Sequence, residues 1–201
     1  MEFELLAFGL ITGFTSGFFG IGGGSILIPM LLVAGFAMKE AVAISIMQMV
    51  FSSIYGSFLN SKKIKGLFRD GIILGVGASV GGLFSGYFLP SIPDIYLQYI
   101  FIAVLIYTIY TLFKAPASQE VIQEDKNIFL LAFIGFCVGI FAMSIGIGGS
   151  LMLLPILVQF LKYDLKVATA LGLFFVIFSS IGVFISTSLY GNMLYYEGAI
   201  I

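Results

Sequence analysis

The sequence predicts an all-α integral membrane protein built from inverted-topology helical repeats with glycine-broken half-helices. Three observations carry that expectation. Charge is too sparse for a soluble surface, the apolar stretches between charges have the length of a bilayer crossing, and one glycine-rich block occurs twice. Of 201 residues, 60% are hydrophobic and 9% are charged, with a mean hydropathy of +1.16. Soluble domains carry about 25% charged residues, so the outer surface of this chain must face lipid.

The same composition excludes several classes. The net charge is −1 and no basic run occurs, which leaves no electrostatic ground for binding nucleic acid. Histidine is absent, removing the commonest metal ligand and the commonest general base. No cofactor or metal is expected, and catalysis is the weakest reading. The single cysteine, Cys137, cannot form an internal disulfide and sits in an apolar stretch as a small packing residue. Glu2 and Glu4 stand where a signal peptide would be basic, and the apolar stretch runs on to about Phe36. The start therefore reads as mature protein.

A helix crossing a bilayer needs about 20 apolar residues, and a charge at mid-membrane costs about 2.5–3.5 kcal/mol on insertion scales. Charged positions thus mark where the chain leaves lipid. The spans they delimit are 3–20, 41–60, 71–90, 95–113, 128–146 and 167–190. Two shorter apolar segments, 24–36 and 150–161, follow glycine-rich turns and read as half-helices or strongly tilted ones. Ala115–Asn127 is the longest polar segment; it carries Pro116 and four charged residues without apolar periodicity, as expected of a solvated connector. The chain divides accordingly into a first repeat (1–114), a polar cytoplasmic linker (115–127) and an incomplete second repeat (128–201).

The repeat is visible residue by residue. Gly20-Ile21-Gly22-Gly23-Gly24-Ser25, followed by Pro29, recurs as Gly146-Ile147-Gly148-Gly149-Ser150, followed by Pro155, at an offset of 126. At that offset Gly9 matches Gly135, Gly13 matches Gly139 and Leu31 matches Leu157. Lys65 to Gly71 resembles Asn192 to Gly198 at an offset of 127. If the loop with Lys62, Lys63, Lys65 and Arg69 is cytoplasmic, the linker and the loop with Lys162 and Lys166 lie on the same side. The matching loop Gly191–Glu197 has no Lys or Arg and falls outside, so the halves are expected to be inverted, as in many secondary transporters. Gly198 matches the start of a span, so two further spans, roughly 40 residues, are expected to complete the second half. Either the chain is a shortened form or a partner copy supplies them.

The paired glycine blocks are the principal candidate site. Consecutive glycines break a helix, each costing about 1 kcal/mol against alanine. A break at membrane depth is tolerable where it lines a polar cavity or meets a ligand. The helix that starts after it offers free N–H groups and a positive dipole end, an anion site without a charged side chain. The residues so placed are Gly20, Gly22, Gly23, Gly24 and Ser25, and Gly146, Gly148, Gly149 and Ser150. Pro29 and Pro155 are expected near the helix start, where a missing N–H does less harm. The plainer alternative is that the glycines let helices pack closely, which is the expectation for Gly9, Gly13, Gly17, Gly77, Gly81, Gly82 and Gly86. A nucleotide loop is ruled out by the lack of a following lysine and a preceding strand.

A second candidate is the polar stripe Ser45, Gln48, Ser52 and Tyr55, whose spacings of three, four and three put them on one helix face. Its weaker counterpart in the second half is Thr169, Gly172 and Ser179. Such groups, like Thr15, Ser16 and Ser144 before the breaks, can also serve only to bond neighbouring helices; Gln48 is the foremost candidate for more than that. No intramembrane Asp or Glu is evident as a proton carrier.

The blocks GxxxGxxGIGGGxxxxP and GIGGSxxxxP, each followed by a charged loop and an Ala-rich span bearing Ser or Thr, resemble the TauE/SafE family of sulfite exporters. The resemblance runs from Gly9 to Gly198 and implies a multi-pass protein of a prokaryotic cytoplasmic membrane. It implies transport of sulfite, sulfonates or similar small sulfur-containing anions by alternating access. Carried onto the motif, it points to Gly20, Gly22, Gly23, Ser25, Pro29, Gly146, Gly148, Gly149, Ser150 and Pro155. The expected partners are the lipid bilayer and a small inorganic or organosulfur anion, with a homo-oligomer left open. An anion channel and an accessory or scaffold subunit stand as alternatives.

Overall fold

Every regular element among the described residues is helical. The computed structural model describes residues 2–19, 23–60, 68–114, 127–190 and 193–201. Gly20 and Gly22, the basic loop at 61–67 and most of the expected linker (115–126) lie outside the described residues. In chain order the helices are α1 (Glu2–Phe19), α2 (Gly24–Val33), α3 (Met38–Asn60), α4 (Phe68–Phe88), α5 (Asp94–Lys114), α6 (Ile128–Ser144), α7 (Ser150–Pro155), α8 (Leu165–Leu189) and α9 (Tyr195–Ile200). A short 3₁₀ turn, Leu89–Ser91, follows α4, and a π-helical turn, Ile156–Phe160, prolongs α7.

Local chemistry accounts for the boundaries. The Asn127 side chain accepts from Phe129 N (3.0 Å) at the start of α6, and Asp164 Oδ1 accepts from Lys166 N (2.8 Å) at the start of α8. Helix α2 ends where Gly35 adopts φ +95°: Gly35 N donates to Leu32 O and Phe36 N to Leu31 O. That is a Schellman pair, which satisfies two otherwise orphaned carbonyls.

The protein is an all-α membrane protein. Phe68–Ser91, Asp94–Thr111 and Leu165–Leu189 are long and apolar enough to cross a bilayer, and Phe14, Ile106, Phe129, Phe133 and Phe141 stand exposed on the outer surface. Helices α1 and α6 are shorter in their described apolar parts, at Phe3–Ser16 and Ile128–Ser144. Helix α3 has 23 residues; Lys39 and Glu40 open it, and Ser45, Gln48, Ser52 and Ser53 stand among its apolar residues.

The centre of the molecule is α4 wedged between α6 and α8 by small residues. A methyl group on Gly77 or Gly81 would collide with the carbonyls of Ala132 and Phe136 on α6, and one on Gly82 with that of Ser179 on α8. Gly135, Gly139 and Gly182 return the contact, against the carbonyls of Leu74, Ala78 and Ser79. Backbones can approach this closely only where side chains are absent. Polar bonds fasten the same seams: Ser186 Oγ donates to Leu83 O (2.7 Å), and Ser85 and Ser144 share a hydroxyl bond of 3.0 Å. At one end, the buried Tyr163 hydroxyl donates to Asp70 Oδ2 at 2.6 Å. Burial, then the bond to Asp70 and its negative charge, raises the Tyr163 pKa above the usual tyrosine value.

Helix α9 packs against α1 and α3 at matching positions. Gly9 meets the backbone of Ile201, as Gly135 meets that of Leu74; Gly198 meets Met47, while Gly71 meets Phe174. Close packing was expected of Gly9, Gly13 and Gly17. Gly9 fulfils it, but a methyl on Gly13 would find nothing within 4 Å, because no described helix covers that turn of α1. The surroundings of Gly17 lie outside the described residues.

Candidate functional site

The two glycine turns, 126 residues apart in sequence, meet in space. In the second turn, Gly146, Gly148 and Gly149 take φ of +69°, +87° and +70°, left-handed conformations that glycine adopts without steric penalty. The turn closes α6 through Gly146 N to Met143 O and Ile147 N to Ala142 O, and opens α7 through Leu153 N to Gly149 O (2.8 Å). In the first turn, Gly23 caps α2, its carbonyl accepting from Ile26 N (3.2 Å) and Leu27 N (3.0 Å). Gly24 lies so close to Gly146 that any side chain there would collide with the Gly146 carbonyl. Ser45 Oγ donates to Val42 O (2.9 Å) and also reaches Gly146 O at 3.3 Å, tying α3 to the second turn.

Gln48 occupies the other side of the first turn. Its amide lies against Gly23, where any side chain would strike it. The residue is 7% exposed, and its Oε1 accepts no hydrogen bond from the described residues. An orphaned buried acceptor costs about 1–3 kcal/mol, so this atom stands out. One turn further along α3, Gln48 and Ser52 border a cleft of about 460 Å³ that reaches Gly9 and Gly13 on α1 and Gly198 on α9. Among the described residues no titratable side chain lines it, and Ile201, the last residue, does.

The remaining expected residues are distributed unevenly. Ser25 and Ser150 are buried in the first turns of their helices, and Gly172 of α8 abuts Ser150. Thr169 stands apart, its hydroxyl donating to Leu165 O (2.7 Å) on an exposed face. Tyr55 is exposed, so the stripe runs from buried Ser45 out to the surface. The prolines correct the expectation of a helix start. Pro29 is the sixth residue of α2, where it forfeits the bond to the Ser25 carbonyl, and Pro155 is the last of α7. The chain widens into the π turn directly after Pro155, a usual place for a break in the ladder.

Sequence reasoning missed Phe175, against which Gly149 packs. Along α3 and α8 the repeat offset is 127: Lys39, Ala41, Ala43, Phe51, Ser52 and Ser53 recur as Lys166, Ala168, Ala170, Phe178, Ser179 and Ser180, so Ser45, Gln48 and Ser52 correspond to Gly172, Phe175 and Ser179. The contacts agree, Gly23 meeting Gln48 as Gly149 meets Phe175. Leu171, Phe174 and Phe178 pack on Gly71 and Gly75 of α4.

The chain is similar to known membrane transporters. The family model described as "Sulfite exporter TauE/SafE" matches residues 5–201. A probable membrane transporter protein of Methanocaldococcus jannaschii is 28% identical, over 92% of this chain and 74% of its own length. No solved structure matches.

Proposed function

This chain belongs to the sulfite exporter TauE/SafE family and is a membrane transporter, and we propose that it moves small sulfur-containing anions, sulfite, sulfonates or similar, across the cytoplasmic membrane of a prokaryote. The observation that carries the reading is the meeting of the two glycine turns beside the unpartnered Gln48 amide. Each turn precedes a short apolar helix, Gly24–Val33 and Ser150–Phe160. Helix starts of this kind can hold anions without a fixed cation. Binding by dipoles alone is weak enough to permit release, which a carrier needs.

In this reading Gly20, Gly22, Gly23, Gly24 and Ser25 form one wall of the site, and Gly146, Gly148, Gly149 and Ser150 the other. Ser45 holds the walls together, Gln48 faces the anion, Pro29 loosens the ladder inside the first helix, and Pro155 ends the second. The repeats 1–114 and 128–201, joined by a cytoplasmic linker at 115–127, are inverted. One bundle rocks against the other to expose the site alternately. The family is one of transporters rather than enzymes, and no catalytic step is assigned.

The test is counterflow of labelled sulfite in proteoliposomes holding the full chain. Saturable exchange is expected, with Gly23→Leu and Gly149→Leu abolishing it while the protein still reaches the membrane. Leucine would collide with Gln48 in the first case and with Phe175 in the second, at φ +70°. Undiminished flux in both variants would remove the turns from the transport path. Single-channel currents in place of saturable exchange would make the protein a channel.

A further inference from the structure

We propose that the cleft between α1 and α3 is the seat of one more transmembrane helix, running on from α9 and carrying a glycine and alanine face like that of α4. The inference goes beyond the transport reading and stands or falls separately from it.

The internal repeat supplies the template. Helices α1 and α6 match at an offset of 126, α3 and α8 at 127, and α9 matches the start of α4 at 127. In the second half α4 fills the space between α6 and α8, its glycines from Gly71 to Gly86 pressed on their backbones and side chains. In the first half α9 begins in the same way between α1 and α3. Gly9 meets Ile201 as Gly135 meets Leu74, and Gly198 meets Met47 as Gly71 meets Phe174. One turn on, the likeness ends. Gly139 lies on Ala78, but a methyl on Gly13 would find nothing within 4 Å among the described residues. The cleft opens at that turn, with Gly13, Phe51 and Ile201 on its border.

Side chains beside it are exposed where their counterparts are covered. Phe51 is 65% exposed, whereas Phe178 packs on Gly75. Leu10 is 76% exposed, whereas Phe136 lies against Gly81 and the ring of Phe84, 5.8 Å between centroids. Each difference falls where the counterpart touches the part of α4 beyond Leu74. The chemistry of the occupant follows from the same contacts. Gly13 and the Ser52 carbonyl stand where Gly139 and the Ser179 carbonyl take Ala78 and Gly82, and backbones approach this closely only across small residues. No titratable side chain among the described residues borders the cleft, as suits an apolar helix. Register gives its source. Ala78 follows Leu74 on one continuous helix, so the residue that meets Gly13 belongs one turn beyond Ile201 on α9 itself. The seated helix covers the flank of Gln48 that its packing on Gly23 leaves open.

The test extends the full chain after Ile201 with a second copy of Gly75–Ser91, the part of α4 that follows the counterpart of Ile201. Single cysteines are placed at Phe51→Cys and, as a control, Phe3→Cys, in a Cys137→Ser background. Phe3 and its counterpart Phe129 are both 84% exposed, so the seated helix should leave that position free. In detergent, the extension is expected to slow maleimide labelling of Phe51→Cys at least about tenfold and to leave Phe3→Cys unchanged. With the native Cys137 as reporter, the extended chain is expected to melt at least about 5 °C above the parent. Gly13→Leu, harmless in the parent, should abolish both effects. An extended chain that melts no higher, or in which Phe51→Cys stays as reactive as before, overturns the inference. So does protection of Phe51→Cys without the extension: if it grows with protein concentration a second copy fills the cleft, and if it does not, lipid or detergent does.

Discussion

The helices that follow the two glycine turns, α3 and α8, derive from one ancestral pattern but do opposite things with it. On α8, Leu171, Phe174 and Phe178 press into the glycine face of α4, and Gly149 is stacked on Phe175. On α3 the matching positions, at the offset of 127, are Ile44, Met47 and Phe51, with Gln48 in place of Phe175, and Met47, Gln48, Phe51 and Ser52 border a cleft. Gly139 packs on the Ala78 backbone, whereas its counterpart Gly13 meets nothing within 4 Å. One side is a finished helical joint and the other is polar and accessible. A duplicated framework thus separates two tasks: the second half supplies a fixed abutment, and the first keeps the face that can respond to a solute.

The largest test of that contrast is a matched pair of substitutions. Gly139→Leu forces a side chain into the α4 backbone, with its carbonyl 2.8 Å from where the first carbon must go. Overpacking of this kind costs about 1–3 kcal/mol or more, and rigid backbone cannot yield as a side chain would. Gly13→Leu enters open space and should stay within about 0.5 kcal/mol. Cys137, the one cysteine in the chain, lies partly buried on α6, so a thiol-reactive dye reports thermal unfolding in detergent without added labels. Equal losses at the two positions would mean that the α1 face is as tightly filled as the α6 face.

A smaller effect is expected where one half retains only part of a contact. Tyr163 donates to Asp70; the corresponding pair at the offset of 127 is Phe36 and Glu197, an acid with no phenol. Tyr163→Phe should cost about 1.5–3 kcal/mol, the range for bonds to charged groups. It should also change the alkaline limb. The folded state holds the Tyr163 proton above the usual pKa of about 10, so this contribution is whole below that value. It is lost as pH rises above it, because the unfolded chain releases the proton first. Wild type should therefore lose stability between about pH 10 and pH 12 more steeply than Tyr163→Phe, as read by the same thiol-dye melts. Parallel curves would assign the bond no part in stability.

Much of this was legible in the residues. Charge-free runs delimited helices to within a few positions: 128–146 against Ile128–Ser144, and 167–190 against Leu165–Leu189. Sparse charge and uninterrupted apolar length act locally, and the bilayer makes them decisive. The glycine blocks announced helix breaks for the same reason. What sequence could not fix was which face of a helix meets which neighbour. Ser45 and Thr169 look alike as strings, yet Ser45 reaches the second glycine turn while Thr169 bonds its own helix. The prolines misled because Pro at the first turn and Pro that ends a short helix carry the same composition; the difference lies in where the preceding turn closes. Gln48 was singled out as a polar residue on an otherwise apolar face, but that its Oε1 would lack a partner required the packing of Gly23.

The smallest expected effect lies at the opposite end of α3. Lys39 Nζ donates to Pro90 O (2.9 Å) and stands 3.7 Å from Asp94 Oδ1, linking the start of α3 to the turn between α4 and α5. Its counterpart in the second half, at the offset of 127, is Lys166, whose backbone N–H is taken by the Asp164 cap of α8. Both partners are about a third exposed, at 35% and 37%, so water and salt screen the pair and its worth is at most about 1 kcal/mol. Lys39→Ala should therefore lower the melting temperature by no more than about 4 °C for a chain of this size, and most of that loss should vanish at high salt. A larger, salt-insensitive loss would show that the Pro90 carbonyl rather than the Asp94 charge holds the contact. The first half would then owe the seating of α3 to a backbone bond with the turn that follows α4.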